Sequence, residues 1–261
     1  MKVFELVRLL EELAPPRYGC DWDNIGLLLG AMADEVTAIY LTLDCDDSAV
    51  SEAIAAGCDF ILSHHPVIFG KLRKITDEDA FGRKLLRILR HGIACYGMHT
   101  SFDAAPGCMA DLTADRLGLT DTSVLLETVP GEGIGRVGLL PRPMSVAELC
   151  CHVKEAFHLP SLTLYEAVGR DERISRVAIL PGSGRGEIPL AAAAGAQAYI
   201  TGDVTHHDAL DAVEMGLTIL DAGHYGTEWI FMDKLAQYLS EALPKDVRLV
   251  RAPLRFPGQV V

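Results

Sequence analysis

Residues 55–65 read AAGCDFILSHH. Glycine after two alanines closes a helix, because it takes the left-handed conformation that ends one. The apolar run FILS that follows is short and bounded, as a buried strand is. It stops at His64, His65 and Pro66. The pattern returns at 193–203 as AAGAQAYITGD, which aligns to the first copy without a gap.

The surroundings of the two copies also correspond. The first has the strand AIYLTL (38–43), a helix over roughly 47–56, the strand DFILS (59–63), the helix FGRKLLRILRHG (81–92) and the strand IACYGM (93–98). The second has RVAIL (176–180), an Ala-rich helix ending at Gly195, AYIT (198–201), the helix HDALDAVEMG (207–216) and LTIL (217–220). A final helix is expected over TEWIFMDKLAQYLSEAL (227–243). Strands separated by helices predict an α/β fold with mostly parallel or mixed sheets. The repeated order predicts two similar α/β lobes, 1–127 and 128–261. Their boundary is expected in TDTSVLLETVPGEGIGRVG (120–138).

Composition narrows the function classes. Of 261 residues, 49% are hydrophobic and 23% charged, which suits a globular chain. No apolar run is long enough to span a bilayer. The N-terminal MKVFELVRLLEEL has helical spacing and lacks the unbroken apolar stretch of a signal peptide. A cytoplasmic location with no membrane partner is expected. The seven cysteines form no CxxC pair and read as buried reduced thiols. A net charge of −13 argues against broad nonspecific binding to nucleic acid. Lys71, Arg73, Lys74, Arg83, Lys84, Arg87 and Arg90 are a local exception. They read either as the solvated face of an amphipathic helix or as a phosphate-attracting rim. The turn PGSGRGE (181–187) reads as a tight turn rather than a phosphate cradle, since the lysine and hydroxyl of a P-loop are missing.

Ligands of parallel α/β sheets gather beyond the carboxyl ends of the strands. Beyond four of the predicted strands lie His64 and His65; His99 and Asp103; Asp203, His206 and His207; and Asp221, His224 and Glu228. Of the nine histidines only His91, His152 and His158 lie elsewhere. Histidines and carboxylates without cysteine make the ligand set of a hydrolytic metal site. His224 and Glu228, four apart, share one face if a helix begins there. Adjacent strand residues point apart, so at a broken strand end His64 and His65 suit one ligand for each of two ions. Glu228 could bridge such ions. Asp203 is a candidate hydrogen-bond partner for a ligand, with Asp44 and Asp221 as weaker ones. His206 and His207 read as ligand supports, substrate-facing groups or the start of a helix.

Six segments together resemble a known family: DWDNIGLLLG (21–30), SHHPVIFGKLRKIT (63–76), MHTSFDAAPG (98–107), GIGRVG (133–138), AYITGDVTHHDALDA (198–212) and DAGHYGTE (221–228). They are similar to the NGG-interacting-factor-like proteins with a dinuclear metal centre, whose bacterial members are labelled GTP cyclohydrolase I type 2 homologs. The resemblance implies metal ligands at His64, His65, Asp103, His224 and Glu228, with Glu228 bridging. It also implies a site in the cleft between two α/β lobes, two divalent ions per chain and a homohexameric ring. Zinc, iron, manganese, cobalt and magnesium all suit such mixed donors. The chain departs from the family pattern at Cys108-Met109-Ala110 and at Leu139. The implied activity is metal-dependent hydrolysis of a nucleotide or related small molecule. The alternative is a non-catalytic metal-binding scaffold, metal store or nucleic-acid-associated factor. In the hydrolase reading, His99 and His207 carry protons. Lys71, Arg73 or Lys74 then hold the phosphates of a nucleotide.

Overall fold

The structure is a computed structural model that describes residues 1–167, 173–256 and 258. Its contacts divide the chain into two compact units. The first comprises Met1–Phe102 and Phe231–Leu254, and the second Asp103–Ile230 with Arg255–Val261. The sequence suggested one boundary at 127/128. Instead the chain leaves the first unit inside a short helix and re-enters it inside a long one. The Gly-rich stretch expected at the boundary is a β-hairpin.

In the first unit, a five-stranded sheet has the order β1-β4-β3-β2-β11. The strands are β1 (Gly26–Leu29), β2 (Ala38–Thr42), β3 (Phe60–Ser63), β4 (Ala94–Gly97) and β11 (Arg248–Arg251). β1 runs antiparallel to β4 and the other pairs are parallel. Every residue of β2, β3 and β4 is buried, as in strands covered on both faces. The covering helices include α1 (Val3–Leu13), α2 (Asp47–Ala55) and α3 (Ala80–Arg90). Asp46 and Asp79 cap α2 and α3 by accepting from Ala49 N and Gly82 N. Val50, Ala53, Leu85 and Ile88 of these helices pack with Tyr40, Ile61 and Cys95 of the sheet. The short α4 (His99–Ala104) carries the chain into the second unit.

The second unit has a six-stranded sheet in the order β5-β6-β8-β9-β10-β7. Its strands are β5 (Thr120–Val129), β6 (Glu132–Met144), β7 (Thr163–Tyr165), β8 (Ile174–Ser183), β9 (Ala198–Gly202) and β10 (Thr218–Asp221). β8, β9 and β10 are parallel, β7 is antiparallel to β10, and the β5–β6 hairpin joins antiparallel through β6. Its helices are α5 (Met109–Arg116), α6 (Val146–Phe157), α7 (Ile188–Ala193), α8 (His206–Glu214) and α9 (His224–Glu228). The expected final helix is thus two, α9 and α10 (Ile230–Ala242). None of the described helices is long and apolar enough to cross a membrane.

One module occurs in both units. β1 to β4 and β7 to β10 follow the same chain order. Each module has three parallel strands in sequence order, with its first strand antiparallel on the edge of its last. α2 and α3 join the parallel strands of one, α7 and α8 those of the other, and a short helix follows each last strand. The mixed α/β class and the repeat read from the sequence are both present at this level.

Candidate metal centre

In the first unit, Thr42, Ser63 and Gly97 are level in the sheet. The backbone pairing runs on past them. His65 N donates to Leu43 O at 3.0 Å, and His99 N donates to His64 O at 2.9 Å. Hydrogen bonding between strand ends therefore sets His99 beside the histidine doublet. A Cβ on Gly97 would stand 3.0 Å from Pro66 Cα, so the proline that stops β3 packs tightly against a glycine opposite it. The ring centroids of His64, His65 and His99 form a triangle with sides of 4.9, 5.4 and 5.4 Å. One ring nitrogen from each lies within 4.8 Å of the other two. The His64 ring packs on Phe102 and Phe231.

Carboxylates orient two of these rings. Asp44 Oδ1 accepts from His65 Nδ1 at 2.8 Å. Asp23 Oδ2 accepts from His99 Nδ1 at 2.7 Å, and also from Thr100 N and Oγ1. Burial pushes the Asp23 carboxyl up, but the bonds from His99 and Thr100 outweigh it and bring the group down to about 2. Nδ1 protonated toward a carboxylate puts the ring lone pair on Nε2, the arrangement of a metal-ligating histidine. Asp103 follows His99 by four residues on α4 and is buried.

The second unit repeats this device. His224 opens α9 as His99 opens α4, and Glu228 follows it by four residues as Asp103 follows His99. Asp203 Oδ2 accepts from His224 Nδ1 at 2.7 Å. His224 Nε2 lies 3.0 Å from Glu228 Oε2. An imidazole nitrogen this close to a carboxylate oxygen is favourable only with a proton or a cation between the two. Asp203 has φ 56°, a left-handed conformation that aspartate tolerates better than most residues. Two glycines admit the pair. A Cβ on Gly182, at φ +72°, would come within 2.1 Å of Glu228 Oε1. One on Gly202 would come within 2.5 Å of His224 N.

The donor chemistry therefore fits divalent metal in both units. Each offers imidazoles held through Nδ1 and a carboxylate one helical turn away. Asp221 does something else, accepting from Val204 N and Gly223 N to shape the backbone before His224. His206 and His207 are exposed in the first turn of α8, capped by Thr205. Among the described residues, no hydrogen bond joins His207 to His224 or Glu228. In PGSGRGE, Gly182 N donates to Thr227 Oγ1 and Gly184 N to Thr201 Oγ1, so these amides serve the fold rather than a phosphate.

Most of the basic stretch is engaged by the protein. Arg87 pairs with Asp47, Lys84 donates to Cys45 O, Arg83 to Asp77 O, and Lys74 pairs with Glu78. Lys71 and Arg73 are exposed, and no hydrogen bond or ion pair among the described residues engages them. None of the seven cysteines is in a disulfide. Cys45, Cys58, Cys95 and Cys108 are buried, whereas Cys151 is exposed, against the uniform burial expected.

The residue that sequence reasoning missed is Asp23. It lay inside a quoted segment, but nothing in its neighbours marks it as a partner of a histidine 76 positions later.

Comparison with known proteins covers nearly the whole chain. The family model Duf34/NIF3 (NGG1p interacting factor 3) matches residues 1–254. A Clostridium acetobutylicum protein named GTP cyclohydrolase 1 type 2 homolog is 36% identical over 248 residues, 94% of this chain and 92% of its own. The NIF3 homolog of Schizosaccharomyces pombe is 32% identical, covering 93% of this chain and 90% of its own. The crystal structure of Staphylococcus aureus hypothetical protein SA1388 superposes with a TM-score of 0.86 at 26% identity, covering 100% of this chain and 99% of that one.

Proposed function

We propose, from the fact that this chain belongs to the Duf34/NIF3 (NGG1p interacting factor 3) family and from its carboxylate-held histidines, that it is a metal-dependent hydrolase. The substrate class is a nucleotide or a related small molecule. His64, His65, Asp103, His224 and Glu228 are the proposed ligands of two divalent ions, with Glu228 shared between them. The observation that carries the reading is the recurrence of one device. His65, His99 and His224 each donate Nδ1–H to an aspartate. Surface histidines rarely need such support, whereas metal ligands regularly have it.

Divalent ions held there would supply Lewis acidity, lowering the pKa of water and offsetting charge in a substrate. The chain's own residues would do the rest. Asp44 and Asp203 hold the His65 and His224 rings in orientation. His99 and His207 are the proposed proton carriers, because imidazole can both give and take a proton. His99 has the stronger geometric support, lying in the His64–His65 cluster; that place also suits a ligand, and metal analysis of His99→Ala decides between the roles. Lys71 and Arg73 are the proposed contacts for substrate phosphate.

A cytoplasmic homohexamer completes the proposal, on the strength of family membership. Light scattering should give a mass near six times the 28.2 kDa of one chain. The functional test is turnover of a nucleotide panel, including GTP, by protein loaded with zinc, iron, manganese, cobalt or magnesium in turn. Release of product that vanishes in Glu228→Ala supports the hydrolase. Metal retention with no turnover of any nucleotide would replace it with a metal-binding scaffold or store.

A further inference from the structure

We propose that Trp22 and Phe69 form a stacking platform for a planar heteroaromatic ring that carries a negative group. The proposal rests on the metal-site reading above and adds the ligand's shape and orientation. Trp22 is 66% exposed and Phe69 55% exposed, although both are large apolar rings. Neither packs into the core. Both stand edge-on to His99 instead, with centroids at 6.1 and 5.3 Å and interplanar angles of 74° and 67°. Two exposed aromatic faces thus flank one member of the imidazole cluster.

The platform is braced. Asn24 Nδ2 donates to Ile68 O at 2.7 Å, tying the loop that bears Trp22 to the loop that bears Phe69. Asn24 N donates to Asp23 Oδ1 at 2.8 Å, and the other oxygen of Asp23 holds His99. One carboxylate therefore fixes both the imidazole and the base of the Trp22 loop. A planar partner stacked on these exposed rings would remove apolar area from water, which is favourable.

Charge gives the ligand a direction. Lys71 and Arg73 follow Phe69 by two and four residues and are exposed. On the other side, Trp22 is preceded by the exposed Asp21. A bound ring would therefore place its anionic group on the Phe69 side and its uncharged edge toward Trp22. A nucleotide has this chemistry, as does any heteroaromatic phosphate or carboxylate.

The chain has two tryptophans, and Trp229 is only 5% exposed, so Trp22 dominates any ligand-sensitive emission. The experiment titrates full-length, metal-loaded protein with GTP, guanosine and tripolyphosphate, following tryptophan fluorescence and calorimetry. GTP should quench emission saturably, guanosine should quench more weakly, and tripolyphosphate should leave emission unchanged. Trp22→Leu should abolish the quench and weaken GTP binding about tenfold with metal content unchanged, and Trp22→Tyr should restore the affinity. Metal-loaded protein that binds none of the three probes overturns the platform. So does GTP binding that leaves emission unchanged, or a Trp22→Leu protein that binds GTP as the wild type does. Wild-type protein that takes up no metal yet still shows the Trp22-dependent quench would overturn the metal reading and leave the platform standing.

Discussion

The ends of β3 and β9 occupy the same place in two copies of one module, yet they carry His64-His65 and Gly202-Asp203. At β3 both residues are imidazoles, and the aspartate that holds His65 is Asp44, beyond the neighbouring strand. At β9 neither residue is an imidazole, and the strand end supplies the aspartate that holds His224. The strand-end frame is shared, and its side chains differ. Space is part of the difference. A Cβ on Gly202 would meet the backbone of Gly223 and His224. A fold can thus keep its backbone frame in duplicate while the side chains at its strand ends differ.

The strongest way to break this comparison is to make the copies alike. Gly202→Ala places a Cβ against the His224 and Gly223 backbone, which cannot yield cheaply. A loss of about 2–4 kcal/mol is expected in urea unfolding, with impaired metal uptake. An unchanged midpoint would show that the two strand ends differ for no steric reason.

A finer test exchanges the supports. Asp44→Ala and Asp203→Ala should each lower metal affinity by roughly 10–100-fold, measured by competition with a chelator. Asp203→Gly separates support from strain. Glycine accepts the left-handed backbone at φ 56°, so stability should stay within about 1 kcal/mol of wild type while metal affinity still falls. Equal affinity in Asp203→Gly and wild type would remove the aspartate from the account.

Asp23 makes a pH-dependent contribution. Its folded pKa of about 2 lies below the ordinary 3.8, so its stabilising effect is present above pH 3.8 and is lost as pH falls through about 2. Acid unfolding of metal-free protein, followed by circular dichroism, should be less steep across that window in Asp23→Asn. A superimposable acid transition would mean that the His99 and Thr100 bonds do not act on folding.

The smallest effect concerns the other histidine doublet. His206-His207 is the same dipeptide as His64-His65, but it lies exposed on the first turn of a helix. His207→Ala should leave stability within about 0.5 kcal/mol and metal content unchanged, while lowering kcat if His207 carries a proton. Loss of metal in this variant would make it a ligand.

That pair also shows how far the sequence could be read. Apolar runs separated by helical segments located the parallel strands, because buried strands leave a simple apolar signature. The gap-free match of 55–65 to 193–203 exposed the repeated module. The β5–β6 hairpin stayed hidden because β5 mixes exposed and half-buried positions without clean alternation, and the glycines of the hairpin resemble those of a linker. The split of the final helix into α9 and α10 was equally silent, since the apolar spacing runs on through Trp229. Asp23 could not be found from spacing, because its partnership with His99 arises from the folding of a loop onto a strand end. A contact of that range leaves no local pattern.

The central proposal is the ligand set His64, His65, Asp103, His224 and Glu228, and elemental analysis tests it most directly. Protein stripped by a chelator, reloaded and freed of excess metal should hold two divalent ions per chain in the wild type. His65→Ala or Asp103→Ala should lose one ion, His224→Ala the other, and Glu228→Ala both. Full occupancy in a His64→Ala, His65→Ala, Glu228→Ala triple variant would contradict the account.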